Sequence, residues 1–198
     1  MPETLLCLDG VGLERGVRQL LVGVNLAIQP GEAWQLLGSN GSGKTSLLRA
    51  VAGLARLGLS GTVTKTSSVL YQGHLPGTKP LLTARENLRW HPSGCVEQHA
   101  HAIDEALGTV GLAGYEDLPM HRLSAGQQRR VALARLWLTD ARLWLLDEPF
   151  TAIDMVGTSL LEQRLQSHCE QGGAVLFTSH QPNSLSGLQI LDLAAHAP

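Results

Sequence analysis

The residues best suited to chemistry lie in one glycine-rich loop. Gly38, Gly43, Lys44 and Thr45 occupy the fixed positions of the pattern G-x-x-x-x-G-K-[ST], which is typical of loops whose backbone N–H groups surround nucleotide phosphates. An apolar run at 34–37 precedes the loop and a helical pattern follows it, so the helix N-terminus is expected to favour an anion. Lys44 is expected to reach the β- and γ-phosphates, and Thr45 to offer its hydroxyl to Mg²⁺. The predicted ATP-binding residues here are Gly38, Ser39, Asn40, Gly41, Ser42, Gly43, Lys44, Thr45 and Ser46.

Two adjacent carboxylates close a second apolar run. Asp147 and Glu148 directly follow the residues 143–146, and charges at the end of a buried strand are costly unless they are paired or bound to metal. Asp147 is therefore predicted to hold Mg²⁺, and Glu148 to act as the general base that accepts a proton from an attacking water. The alternative is a surface turn with two solvated acids.

Apolar runs alternate with helical patterns in the elements that must position these groups. Strands are predicted at 20–28, 33–37, 67–71, 142–146 and 174–178, and a helix at 43–54. Short, almost entirely apolar runs suit strands that are buried on both faces, so the fold class is predicted to be α/β. Val96, Ala100, Ile103, Leu107 and Val110 instead recur at helical spacing. We predict one domain over 1–198, with a catalytic core at 1–79 and 140–198 and a helical subdomain at about 80–139.

The amino-acid composition excludes some classes of protein. The chain has 198 residues, 43% of them hydrophobic, and its 15 basic and 17 acidic residues give a net charge of −2. This composition excludes wholesale disorder and argues against a nucleic-acid partner, which requires a basic face. Cys7, Cys95 and Cys169 are widely spaced and form no C-x-x-C pair, so we interpret them as reduced residues of a cytosolic protein. The acidic start does not resemble a signal peptide.

Four further motifs resemble those of ABC-type ATPases. The stretch 123–127 reads Leu-Ser-Ala-Gly-Gln and resembles the LSGGQ signature, with Ala125 in a position that is usually glycine. Gln72 matches the glutamine of the family's Q-loop, Asp154 the aspartate of its D-loop and His180 its switch histidine. The motifs occur in the family's order, and the match runs from about residue 5 to residue 193. Independently, Ser124 and Gln127 have the S-x-x-Q form of a capping box, which predicts a helix over 128–138.

The resemblance implies a P-loop NTPase of the ABC ATPase type, in which a helical signature subdomain is inserted in the catalytic core. It implies ATP and Mg²⁺ as cofactors, catalytic roles for Lys44, Gln72, Glu148 and His180, and contact of Gln72 with Mg²⁺ or the attacking water. It also implies a head-to-tail dimer with a second copy of the chain. In that dimer, the signature residues Ser124, Ala125, Gly126 and Gln127 reach the ATP that the other subunit holds.

Longer stretches resemble a narrower family. Four stretches are similar in sequence to the ATP-binding subunits of the bacterial cytochrome c maturation haem exporter, namely 72–79, 112–119, 123–138 and 146–154. This resemblance implies a peripheral protein on the cytoplasmic face of the inner membrane, which works with integral-membrane subunits to move haem or a haem-carrying intermediate. The alternatives are a soluble ABC ATPase with a mechanical role, the ATPase of another small exporter, and a switch that no longer hydrolyses ATP.

Three histidines in the predicted helical subdomain raise the question of haem binding by the chain itself. His91, His99 and His101 lie near Cys95, but histidines two positions apart do not share a helix face, and no C-x-x-C-H motif is present. Direct haem binding is therefore not expected. The neighbouring segment 81–90 follows the Q-loop, where the resembled family binds its membrane subunits. We predict that Trp90 is an exposed anchor for that partner, the alternative being a core residue of the subdomain.

The adenine contact departs from the family pattern. ABC ATPases usually place an aromatic residue some twenty-odd positions before the phosphate loop, and Arg15 occupies that place here, since no Phe, Tyr or Trp precedes Trp34. A planar guanidinium can lie over a purine ring. We therefore predict Arg15 as the adenine platform, the alternative being a solvated turn arginine.

Overall fold

A computed structural model describes residues 3–55, 57–90, 100–181 and 183–198. Its strands are β1 (Leu6–Arg15), β2 (Arg18–Ile28), β3 (Ala33–Leu37), β4 (Leu59–Lys65), β5 (Val69–Gln72), β6 (Leu143–Leu146), β7 (Ala174–Thr178) and β8 (Gln189–Asp192). Its helices are α1 (Lys44–Ala52), α2 (Ala84–Arg89), α3 (Ala100–Thr109), α4 (Ala125–Ala134) and α5 (Met155–Glu170).

A five-stranded parallel sheet, in the order β5-β6-β7-β3-β8, forms the centre of the fold. Alternate residues of each central strand enter two different apolar clusters. Leu143 and Leu145 of β6 pack on one side of the sheet with α1, and Trp144 and Leu146 pack on the other side with α5. All residues of β6 and β7 are buried. The predicted α/β class is therefore confirmed, and the carboxyl ends of β3, β5, β6 and β7 meet at one sheet edge.

A second, antiparallel sheet has the order β2-β1-β4. Its strands β1 and β4 were not predicted from the sequence, for two different reasons. In β1 the pairing register shifts near Gly10 and Gly12, which interrupts the alternation of apolar residues. In β4 no residue is fully buried, so the strand carries no apolar pattern to detect. This sheet brings Arg15 and Arg18, which pair across the β1–β2 turn, to the side of the phosphate loop.

The helices α2, α3 and α4 share a third apolar cluster, whose buried members all lie between Ala84 and Leu138. Arg85 forms ion pairs with Asp104 and Asp117, which join α2 to α3 and to the segment that precedes α4. Helix α4 begins at Ala125, before the predicted start at 128, and ends at Ala134 in a 3-10 turn that continues to Trp137. Assignment of residues 80–139 as a helical subdomain stays a prediction.

Candidate active site

The phosphate loop joins β3 to α1. Gly41 and Gly43 have positive φ angles of 81° and 100°, a conformation that favours glycine. Gly43 caps α1 without a side-chain hydrogen bond, so the first N–H groups of the helix remain directed at the loop. Lys44 Nζ donates to the carbonyl oxygens of Gly38 at 2.6 Å and Ser39 at 3.0 Å. The buried Ser42 Oγ has no hydrogen-bond partner among the described residues, which suits a loop that receives an anion.

Asp147 lies at the carboxyl end of β6 and is 2% exposed. Its Oδ1 accepts hydrogen bonds from Thr178 Oγ1 at 2.9 Å and Thr45 Oγ1 at 3.2 Å. Its Oδ2 is buried and has no partner within the described part of the chain. A buried carboxylate oxygen with spare capacity, beside a threonine hydroxyl, is the oxygen-rich donor set that Mg²⁺ prefers. Thr45 and Asp147 therefore fit a magnesium ion.

Glu148 adopts a left-handed backbone conformation with a φ of 52°, which is uncommon for a residue other than glycine and is a form of strain found at functional sites. Its backbone N donates to Thr178 Oγ1 at 2.8 Å. Its Oε1 lies 3.4 Å from His180 Nε2, and its Oε2 lies 3.5 Å from Thr151 Oγ1. The structure thus brings the predicted base and the switch histidine into direct contact.

One cavity of about 760 Å³ connects these groups, a volume within the usual range for small-molecule sites. It is lined by the phosphate loop, by Asp147, Glu148 and His180, and by four cationic residues from three elements, namely Arg15, Arg18, Lys44 and Arg49. None of the described lining residues is Phe, Tyr or Trp. Arg15 is exposed and lines this cavity, and its role as the adenine platform stays a prediction.

Gln72 does not join this cavity. Its side chain is 3% exposed, its Oε1 accepts from Arg135 Nη1 at 3.1 Å, and its Nε2 donates to the carbonyl oxygens of Gly73 and Leu75. Both polar atoms of the amide are thus hydrogen-bonded to groups outside the cavity. Contact of Gln72 with Mg²⁺ or the attacking water stays a prediction.

The signature residues also lie apart from the cavity of their own chain, since none of the residues 124–127 lines it. The predicted capping box is present: Ser124 Oγ accepts from Gln127 N at 3.2 Å, and Gln127 Oε1 accepts from Ser124 N at 2.9 Å. Asp154 caps α5, and its Oδ1 accepts from Gly157 N at 2.8 Å. Ser124, Ala125 and Asp154 are all exposed.

Three residues that the sequence analysis did not single out complete the site. Thr178 bridges Asp147 and Glu148, and its place at the end of a predicted strand beside β6 was a signal that could have identified it. His74 lines the cavity. Arg129 of α4 is 4% exposed and donates to four carbonyl oxygens. Burial lowers the pKa of its guanidinium, and the charges of Asp147 and Glu148 oppose that effect.

The predicted histidine cluster lies mostly outside the described residues, which include neither His91, Cys95 nor His99. His101 is described; its side chain is 81% exposed and its Nδ1 lies 3.3 Å from Glu105 Oε1. Over the described ranges, no group of three or more His, Cys, Asp and Glu residues is arranged to hold a metal ion.

The chain is similar to known proteins in both sequence and structure. The sequence pattern of the ABC transporter family matches residues 21–151. The cytochrome c biogenesis ATP-binding export protein CcmA of Saccharophagus degradans is 48% identical over 93% of this chain and 91% of its own length. CcmA of Escherichia coli K12 is 49% identical over 89% of each chain. A solved dimeric ATP-binding cassette, in a post-hydrolysis state with ADP and phosphate, is 26% identical, covers 89% of this chain and 88% of its own, and superposes with a TM-score of 0.76.

The parallel sheet, the phosphate loop and the acidic pair at the end of β6 define an ATP-hydrolysing ATP-binding cassette. Among the described residues, no helix combines the length and the apolar character needed to cross a bilayer. The chain belongs to the ABC transporter family and, within it, to the CcmA family of cytochrome c biogenesis ATP-binding export proteins.

Proposed function

We propose that this chain hydrolyses ATP to drive an exporter that delivers haem, or a haem-carrying intermediate, to cytochrome c assembly. Its place would be on the cytoplasmic face of a bacterial inner membrane, bound to integral-membrane subunits. The assignment to this pathway rests on the 48–49% identity to the CcmA proteins. The assignment of hydrolysis rests on one observation, the contact of Glu148 with His180 beside the half-paired Asp147.

The phosphates would be bound by the phosphate loop and the start of α1. Lys44 now donates to two loop carbonyl oxygens, and the anionic β- and γ-phosphates would compete for the same ammonium group. The N–H groups of the loop and of the first helical turn supply partial positive charge without side-chain reorganisation. A bound Mg²⁺, held by Thr45 and Asp147, would supply further neutralising charge to the phosphates.

Glu148 is proposed as the general base. Its carboxylate accepts a proton from a water molecule whose oxygen bonds to the γ-phosphorus, while the bond between that phosphorus and the β–γ bridging oxygen breaks and ADP leaves. His180 contacts Glu148 Oε1 and would orient both the base and the γ-phosphate. The hydrogen bond from Glu148 N to the buried Thr178 fixes the backbone from which the base projects.

The active unit is proposed to be a head-to-tail dimer. The signature residues do not line the nucleotide cavity of their own chain. They form the N-terminal end of α4, which is capped and exposed and has no acidic residue in its first turn. Such a helix end suits a phosphate, and a second copy is the molecule that holds one. The solved ATP-binding cassette that is similar in structure to this chain is a dimer with bound ADP and phosphate, which supports this arrangement.

The surface for the membrane subunits is proposed to lie beside the loop that follows β5. Leu75, Leu81 and Trp90 are 76%, 84% and 72% exposed, whereas Leu88 of α2 is buried in the helical cluster. Apolar and aromatic side chains of this kind are enriched at protein interfaces. Because Trp90 ends α2 at the surface, we retain it as an anchor.

The proposal is tested by measuring ATP turnover and cytochrome c assembly together. Glu148→Gln should reduce turnover by at least about 10²-fold, the usual size for loss of a general base, while ATP binding persists and a dimer accumulates. Lys44→Ala should weaken binding and turnover together, because it removes positive charge from the phosphates.

For the pathway, the gene would be expressed in bacteria that lack their own CcmA. Wild-type protein should restore covalently haem-loaded cytochrome c, and Glu148→Gln should not. ATP turnover without restoration would disprove the assignment to this pathway but leave the ATPase assignment intact.

A further inference from the structure

The loop that follows β5 presents a histidine to the nucleotide cavity, and its glutamine faces the other way. Gln72 is buried, and its amide makes three hydrogen bonds, to Arg135 and to the carbonyl oxygens of Gly73 and Leu75. Turning this amide into the cavity would break all three bonds and leave buried polar groups without partners, which is costly. The Gln72 amide therefore holds the loop in shape.

His74 is the residue of this loop that reaches the cavity. Its side chain is exposed and lines the cavity together with Lys44, Glu148 and His180. No other residue of the segment 72–80 lines it. An imidazole has a ring N–H that can donate a hydrogen bond to a phosphate oxygen. A glutamine amide at the same place would donate a hydrogen bond in the same way.

Arg129 connects the backbone of His74 to the backbone of Glu148. Its Nη1 donates to the carbonyl oxygens of Gly73 at 3.1 Å and His74 at 2.8 Å, and its Nη2 donates to those of Asp147 at 3.3 Å and Glu148 at 2.6 Å. One buried, planar guanidinium thus binds both the backbone that carries His74 and the backbone that carries Glu148. The fixed fork of arginine makes such multiple contacts geometrically specific.

We propose that His74, and not Gln72, contacts the γ-phosphate of ATP, with Arg129 as the positioning residue that sets His74 against Glu148. This inference rests on the proposed ATPase function. It also implies that Gln72 is not a magnesium ligand. Since Arg129 belongs to the signature helix α4, the same guanidinium also links that helix to the backbones of His74 and Glu148.

Nucleotide affinity provides the first test. In the Glu148→Gln background, where ATP persists, His74→Ala should weaken ATP binding several-fold in buffer without divalent metal, while ADP affinity stays within about twofold, because only ATP carries the contacted phosphate. His74→Gln should recover most of the loss. His101→Ala is the matched control, since this histidine is exposed and does not line the nucleotide cavity. Equal losses for ATP and ADP, or no loss in His74→Ala, would overturn the proposal.

Turnover with Mg²⁺ provides the second test. His74→Ala should lower kcat by about 10²–10³-fold, the usual size for the loss of one preorganised donor to a transition-state oxyanion, and His101→Ala should not. Wild-type protein without ATPase activity would refute the proposed function itself. An active wild type with an equally active His74→Ala would refute only the role of His74.

A double-mutant cycle tests the positioning role of Arg129. Arg129→Lys replaces a four-contact fork with a single ammonium group and should lower kcat in the otherwise wild-type protein. In the His74→Ala background the same substitution should have a smaller effect, because residues that act through one contact are not additive. Fully additive effects on kcat would show that Arg129 acts independently of His74.

Discussion

A single buried hydroxyl joins the two acidic residues of the nucleotide site, and the substitution Thr178→Val removes it at almost constant volume. Thr178 is fully buried. Its Oγ1 donates to Asp147 Oδ1 at 2.9 Å and accepts from Glu148 N at 2.8 Å. Valine can do neither, and water cannot take the place of a hydroxyl at a fully buried position without opening the structure.

The size of the effect follows from these two bonds. A hydrogen bond to a charged group contributes about 1.5–3 kcal/mol, and a buried donor left unpaired costs about 1–3 kcal/mol. Taking values near the lower ends gives a loss of about 3 kcal/mol in the free energy of unfolding. For a chain of this length that loss corresponds to a fall in Tm of about 6–12 °C.

The assay is thermal and denaturant unfolding of nucleotide-free protein, followed by tryptophan fluorescence. Thr178→Ser is the matched control, because it removes a methyl group and keeps the hydroxyl. The valine variant should be less stable than the serine variant, and its kcat should also be lower because Glu148 loses the bond that anchors its backbone. If the valine variant equals or exceeds the serine variant in stability, the bridging role of the hydroxyl is refuted.

Three further predictions concern separate parts of the molecule. Arg15→Ala should weaken binding of a fluorescent ATP analogue several-fold and Arg15→Tyr should restore it, since both planar groups can lie over a purine; unchanged affinity in the alanine variant would exclude the platform. Trp90→Ala should leave Tm within about 2 °C, because a surface substitution usually changes stability by less than about 0.5 kcal/mol, while reducing co-purification with the membrane subunits; a large fall in Tm would indicate a core role. Burial lowers the pKa of His168 from 6.5 to about 4, so folding favours the neutral imidazole. The stability that this histidine contributes is therefore complete above pH 6.5 and is lost as the pH falls toward 4. Relative to His168→Phe, the wild type should lose up to about 3 kcal/mol of its free energy of unfolding between pH 6.5 and pH 4. If urea unfolding gives the two proteins parallel curves of this free energy against pH, the assignment is contradicted.

The central strands could be predicted because burial on both faces leaves a simple pattern. The predicted limits of β3 and β7 agree with the structure at both ends, and β5 and β6 differ by at most two residues. Helix α5 and strand β8 were not predicted. Only four residues of α5 are buried, and β8 has no buried residue and pairs along one edge only.

The phosphate loop and the acidic pair could be predicted because their chemistry is local: consecutive residues supply the turn, the charge and the helix end. Which side chain of the segment after β5 enters the cavity could not be predicted in this way. That choice depends on Arg129 and Arg135, which lie more than fifty positions further along the chain. They donate to three backbone carbonyl oxygens of the loop and to Oε1 of Gln72. Motif position alone favoured Gln72, whereas these distant hydrogen bonds turn its amide away.

The capping box at Ser124 has a consequence for the proposed dimer. Ser124 Oγ uses a lone pair to accept from Gln127 N, and this leaves its own hydroxyl hydrogen free to be given to an incoming anion. Capping and recognition are therefore compatible functions of one oxygen atom. Because the cap already fixes the rotamer of Ser124 and the first turn of α4, closure of the dimer would sacrifice little conformational entropy at this point, and more of the interaction energy would remain available to hold the two subunits together.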